Sequence, residues 1–373
     1  MHMEEPTFDE FSPQSKADWI KLAEEPLSGR NEKPLETSTQ EGIPLQPMYF
    51  REDVRNQNYC CLRHCKGWDI AQKVEFTDAK TFNTVAQDVL KRGQNAISLC
   101  EKDIKEAKQL DEAFENIDLK ETALYFEPHI NLELVKWFRK RGEGLKGAGG
   151  FDPIGMRGKG QIDQETIDLY LNFLAETLTS PQVATSEFKV IGIDCCQHRE
   201  RGESAVEELA SALATANEYF NSLSQRGIDL HSIAKQMHFF FGLGNHFFME
   251  LAKFRAFNLL WQRLLEEKKI PYLPPSIGAL TLLDNETGPD LHMNILRGTT
   301  QAVSAILGGV NSLTILPFDT TPSSKELAER VARNIHLILR DECNFAQVAD
   351  PAAGSYYLET LTSQLVEKVL NLK

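Results

Sequence analysis

Two thiols, an amide and an imidazole stand together at Cys195-Cys196-Gln197-His198, directly after the apolar stretch Phe188 to Asp194. An imidazole at a strand end can hand a proton to a substrate near neutral pH. The same His198 opens the strongly polar run His198-Arg199-Glu200-Arg201, where it reads equally as a solvated loop residue. Gly242 to His246 follow a second apolar stretch, and Asp152 and Asp319 follow two more. These residues share one rim if the apolar stretches are parallel strands of a barrel, because the loops that follow such strands gather at the carboxyl end.

Other patterns carry less. Cys60-Cys61-Leu62-Arg63-His64-Cys65 offers metal-ligating residue types but lacks the paired C-x2-C knuckles of a structural zinc site. It reads as thiols packed around a strand. Gly142-Glu143-Gly144-Leu145-Lys146-Gly147 matches G-x-G-x-x-G, yet it closes a helix and precedes a strand, the reverse of the dinucleotide fingerprint. Neither a G-x-S-x-G elbow nor a P-loop occurs. Arg51, Arg55, Arg63, Lys66, Arg157 and Lys159 are the basic residues near loops that could meet phosphates, and none stands out singly.

The elements that position the rim are legible from Trp68 onward. Strands are expected at Trp68 to Phe76, Asn95 to Leu99, Ala123 to Pro128 and Ala148 to Pro153. Four more follow at Phe188 to Asp194, Met237 to Gly244, Pro271 to Leu280 and Ser312 to Phe318. Between them run helical stretches with apolar residues at three- and four-residue spacing, such as Phe82-Val85-Val89-Leu90 and Ile167-Leu169-Leu171-Leu174. Lys91-Arg92-Gly93, Arg141-Gly142 and Arg226-Gly227 place cations and then glycine where a helix should end. Eight strand–helix pairs in strict alternation imply parallel pairing and right-handed crossovers, and the eight-fold count favours closure. The expected fold is therefore α/β, a (β/α)8 TIM barrel over 48–373, with a doubly wound open sheet as the runner-up. Residues 1–47 hold six prolines, Pro6, Pro13, Pro26, Pro34, Pro44 and Pro47, and read as an extended N-terminal arm with one short helix around Lys16 to Glu25. An arm with so little core of its own is either mobile or laid across another surface.

Bulk properties exclude several classes of function. At 42% hydrophobic residues the chain can fill a large core. A net charge of -14, from 54 acids against 40 bases, repels polyanions and argues against nucleic acid as a partner. The longest apolar runs, His238 to Gly244 and Ala302 to Gly308, are too short to span a bilayer, and the acidic Met1 to Glu10 resembles no secretion signal. No membrane partner is expected, and the location expected is cytoplasmic. The odd count of 7 cysteines fits free thiols.

Four segments carry a family resemblance. His238-Phe-Phe-Phe-Gly-Leu-Gly-Asn-His-Phe-Phe-Met-Glu-Leu-Ala-Lys253-Phe-Arg255-Ala resembles the F-F-x-G-x-x-x-x-F-F-M-E-x-A-K-x-R-A of methylmalonyl-CoA mutases. Glu41-Gly-Ile-Pro-Leu-Gln-Pro-Met-Tyr49, Ala305-Ile-Leu-Gly-Gly-Val-Asn-Ser-Leu313 and Val348-Ala-Asp-Pro-Ala-Ala-Gly-Ser-Tyr-Tyr-Leu-Glu359 agree with three further family segments in order. The resemblance implies a (β/α)8 barrel that acyl-CoA threads, with adenosylcobalamin placed over the strand ends by another domain. Departures fall on the family's chemistry. Aligned through Gly202, Cys196 and Gln197 stand where the family has its catalytic Tyr-His pair, with His198 one place later. The family's Q-S-L-H-T-N appears as Asn311-Ser-Leu-Thr314-Ile-Leu316, with Thr314 at the histidine. Asp290-Leu-His292-Met-Asn-Ile295 holds only the first half of a D-x-H-x-x-G cobalamin motif.

The resemblance therefore points to the barrel of a small, non-catalytic mutase subunit, with no cobalamin-binding domain in this chain. Its site is degenerate at Cys196, Gln197, His198, Asn311 and Thr314. This chain would bind no cofactor itself. Adenosylcobalamin would be carried by the catalytic mutase chain of a heterodimer, around which the arm would wrap, and acyl-CoA is a further candidate ligand. Two alternatives stand beside this reading: an active acyl-CoA mutase large chain served by a separate cobalamin-binding polypeptide, and a barrel scaffold without enzymatic activity.

Overall fold

The computed structural model describes residues 12, 14–25, 35–54, 67–99, 104–127, 131–141, 143–158, 162–184, 186–282 and 290–372. The cluster at Cys60, Cys61 and Cys65 lies outside them, as do Arg55, Arg63, Lys66, Gly142 and Lys159. Eight parallel strands close a barrel: β1 Asp69–Val74, β2 Ala96–Leu99, β3 Ala123–Phe126, β4 Lys146–Phe151, β5 Glu187–Asp194, β6 Met237–Leu243, β7 Ser276–Thr281 and β8 Ser312–Thr314. Pairing of Ser312 with Asp69 joins the last strand to the first, which rules out the open sheet. Six strands fall where the apolar stretches place them, and the eighth stops early, at Thr314 instead of Phe318. The seventh begins late, at Ser276, because Pro271, Pro274 and Pro275 have no N–H to give to a ladder.

Register is pinned by amides just before β2, β6 and β8. Asn95 and Asn311 each accept a backbone N–H of the preceding strand on Oδ1, from Ile70 at 2.7 Å and Ile277 at 2.7 Å. Their own carbonyls accept Ala123 and Asp69 N–H on the other side, at 3.0 and 2.8 Å. Gln236, before β6, accepts twice from β5, the Val190 N–H on its side-chain oxygen and the Ile191 N–H on its carbonyl. The G-x-G-x-x-G run is an αβ connection, as expected: it links the helix Leu132–Arg141 to β4. Gly147 has φ +112, and a Cβ there would collide with the Leu124 carbonyl, so only glycine fits.

Alternation along the strands separates two cores. Outward residues such as Ile70, Ile97, Leu124, Phe239 and Leu313 join the helices in one large apolar cluster. Inward, Ala71, Ala96, Ala123 and Ala148 pack with Tyr125 and Phe240 in a separate small cluster. On the helices, Phe82 and Val89 are buried as their spacing implies, but Val85 and Leu169 face solvent. Leu169 lies two residues from both Ile167 and Leu171, hence about 200° around the helix from each.

One helix, Phe247–Glu267, holds the assembly together. Lys253 meets Glu208 of helix Ala205–Ser224, and Arg255 pairs with Asp350 and with Glu359 of helix Tyr356–Asn371. All five side chains are at most 6% exposed. The described part of the arm lies on this same framework. Ile43 is fully buried, Glu41 accepts the Ala205 N–H, Tyr49 and Tyr357 rings stand 5.0 Å apart, and Lys16 of the helix Lys16–Glu24 pairs with Asp53. Replacing Arg255 by Met leaves two buried carboxylates without their cation. The expected loss is about 3–5 kcal/mol of unfolding free energy in urea titration; a loss below about 1 kcal/mol, the range of exposed pairs, would contradict the clamp.

Candidate functional site

The carboxyl ends of the strands enclose a cavity of about 310 Å³. Its walls are set by strand alternation, which turns Lys73, Ser98, Glu127, Ser312 and Thr314 inward. Lys73 and Glu127 form an ion pair across the mouth. Asp194 and Glu200 add two more carboxylates, so three acids face one base. Tyr125, Phe240 and Gly278 line its deeper part.

Below them His238 is buried, its Nδ1 2.8 Å from Ser276 Oγ and its ring 5.6 Å from Tyr125 and 4.4 Å from Phe240. Its Nε2 makes no hydrogen bond among the described residues. A Cβ on Gly278 would sit 2.6 Å from that nitrogen and 2.9 Å from Ser312 Oγ, so glycine lets both polar atoms approach one point. Burial, and then the charge of Lys189, push the imidazole down to about 3, which keeps it neutral at physiological pH.

The five positions singled out from sequence separate in space. Cys196 and Gln197 open the short helix Cys196–Glu200 and line the cavity together with Thr314. Gln197 is fixed by its Nε2 donating to the Asp194 carbonyl at 2.9 Å. Burial and then Asp194 push the Cys196 thiol well up, so no thiolate forms near neutrality. His198 faces a different hollow, between β5 and helix Ala205–Ser224, with Nδ1 2.6 Å from Glu203 and 3.0 Å from Arg201. Asn311 lies at the opposite, amino end of the barrel, occupied in the register bonds described above.

The two rim aspartates are likewise structural. Asp152 accepts from Gly155 N–H, Asp194 N–H and Tyr219 O–H, at 2.9, 3.1 and 2.7 Å, and burial raises its carboxyl. Asp319 caps the turn at Thr321, whose N–H holds its carboxyl down. Asp290 and His292, the partial cobalamin motif, form an exposed pair 3.2 Å apart just before helix Met293–Gly308, with Ile295 where the motif needs glycine. They do not fit as a ligand set for that cofactor.

Sequence reading missed Lys73, Ser98, Glu127, Gly278 and Ser312. The signal was present: a strand buried on both faces should read as a continuous apolar run, whereas Asp69-Ala71-Lys73 and Ser276-Gly278 alternate small or polar residues with Ile70 and Ile277.

A closed parallel barrel with a small, net acidic cavity at its carboxyl end defines a (β/α)8 barrel. The family model for methylmalonyl-CoA mutase matches residues 163–372, and the chain belongs to that family. It is 31% identical over 399 residues to the methylmalonyl-CoA mutase small subunit of Porphyromonas gingivalis, a match covering 99% of this chain and 63% of that protein. The methylmalonyl-CoA mutase of Cereibacter sphaeroides is 28% identical, covering 94% of this chain and 56% of its own length. That of Rhizobium meliloti is 38% identical over 194 residues, 50% of this chain and 27% of that protein. The chain thus spans less than two thirds of these relatives. Among the described residues, no helix is long and apolar enough to cross a membrane.

Two buried histidines give the barrel a defined acid response. His336, like His238, is pushed down to about 3 by burial, with Nδ1 accepting from Trp68 Nε1 at 3.2 Å. A depressed histidine stabilises the fold fully above its unfolded value, about 6.5, and that stability drains away as pH falls toward 3. The folding constant is expected to drop by up to about tenfold per pH unit for each histidine in that window. His336→Gln keeps an acceptor for Trp68 and should remove one increment from urea titrations run between about pH 7 and 4; an unchanged slope would refute it.

Proposed function

We propose that this chain is the barrel of a small, non-catalytic subunit of adenosylcobalamin-dependent methylmalonyl-CoA mutase, supporting a catalytic partner chain in a heterodimer. The cofactor, carried by that partner, supplies the radical for interconverting methylmalonyl-CoA and succinyl-CoA. What carries the reading is the separation of His198 from the cavity: Cys196, Gln197 and Thr314 face the mouth, and the imidazole is held outside by Glu203 and Arg201. A mutase site needs a proton donor beside the migrating thioester. Here the mouth offers thiol, amide and hydroxyl, and its one ammonium, Lys73, is already paired with Glu127. Three carboxylates against one ammonium also disfavour an anionic thioester.

Supporting this, the Porphyromonas gingivalis relative that matches 99% of the chain bears the name small subunit. In this reading the described arm, anchored through Ile43 and Tyr49, leads residues 1–47 toward the partner, and the protein works in the cytoplasm. Purification of the tagged chain from its source cell should bring down a longer, cobalamin-bearing mutase chain in equal amount. The isolated chain should not isomerise methylmalonyl-CoA, even with an added cobalamin domain. Recovery of the chain alone, or turnover by it, would overturn the proposal.

A further inference from the structure

We infer that Glu208, Glu250 and Lys253 form a buried latch beneath the barrel mouth in which two carboxylates share one ammonium and one proton. The geometry is closed. Lys253 Nζ lies 2.8 Å from Glu208 Oε2, 2.7 Å from Glu250 Oε2 and 2.9 Å from the Gly242 carbonyl oxygen, so each of its three protons has an oxygen within reach. The three side chains are 0 to 2% exposed. The Phe241 and Phe254 rings, 5.6 and 5.3 Å from Nζ, close the apolar sides.

Among the three buried side chains the charges do not balance without a proton: two carboxylates and one ammonium leave one negative charge, which the half-buried Arg199 guanidinium only partly offsets. The groups that face the cluster from other elements are Arg199, on the half-buried helix Cys196–Glu200, and the thiols of Cys195 and Cys196, which burial keeps neutral. Glu208 Oε1 and Glu250 Oε2 are buried oxygens that make no hydrogen bond among the described residues, and an O–H on one of them costs less than a bare anion. Burial, and then the Glu250 charge, push the Glu208 carboxyl up to about 7 against the pull of Lys253.

The latch joins β6, which supplies Phe240 to the cavity, to helices Ala205–Ser224 and Phe247–Glu267. With the proton in place it is neutral. When the proton leaves, the negative charge stays buried at that joint. A carboxyl whose folded value is raised stabilises the fold fully below its unfolded value, near 4.5, and that contribution is lost as pH rises through about 7. This is the opposite sign to the buried histidines.

Infrared titration of the folded chain between about pH 5.5 and 8.5 should show a protonated carboxyl band that disappears with a midpoint near 7. Glu208→Gln and Glu250→Gln each leave one carboxylate facing one ammonium, so neither should retain that titration. Independently, the ratio of the Glu208→Gln folding constant to that of the unaltered chain should rise by up to about tenfold per pH unit between about pH 5 and 7. Absence of the band in the unaltered chain, its persistence in either variant, or a ratio flat with pH would overturn the latch.

Discussion

Lys253 and Arg255 stand two residues apart on one helix and therefore leave it about 200° apart. One reaches inward to Glu208, Glu250 and the Gly242 carbonyl; the other reaches outward to Asp350 and Glu359. Few arrangements bind a helix on both faces with fully buried charge. Apart from Glu250, three residues from Lys253 on the same helix, the partners come from other parts of the chain, so the full set of contacts forms only when strand β6, helix Ala205–Ser224 and helix Tyr356–Asn371 are all in place. Buried pairs are weak contributors to net stability but severe penalties when half-made, which makes them devices of specificity here.

That constraint explains where the family resemblance sits. The segment from His238 to Ala256 contains Glu250, Lys253 and Arg255, and the segment from Val348 to Glu359 contains Asp350 and Glu359. The segment from Glu41 to Tyr49 lies on the same framework through Ala205 and Tyr357. The fourth, from Ala305 to Leu313, ends on Asn311 and the strand that closes the barrel. All four hold architectural residues, and nothing in the clamp depends on which side chains face the cavity.

The interior has its own logic. A ring of alanines would leave the barrel axis hollow, and Tyr125, His238 and Phe240 occupy that space. Several polar groups inside the barrel are held by partners or neutral: Lys73 pairs with Glu127, Asp69 accepts from Tyr125 and Asn95, and His238 is uncharged. Low dielectric around these groups enforces both the pairing and the shifted protonation.

The sequence by itself determined the eight strands, their order and the parallel closure, because apolar stretches, glycine caps and strict alternation are local signals that the crossover rules turn into one topology. It also marked the rim segments, since a rim is simply where strands end. It could not determine which rim residues meet. Cys196 and His198 are two positions apart yet face different hollows, because the short helix at 196–200 turns them to different sides of β5. Asn311 and Thr314 share one short stretch, but a strand carries them to opposite ends of the barrel interior. Glu250 stands three residues from Lys253, a helical spacing, but Glu208, Asp350 and Glu359 lie 45, 95 and 104 residues from their cations, and no spacing rule links them. Those facts belong to the closed barrel, which alone brings distant charges within 3 Å and removes the water that would have screened them.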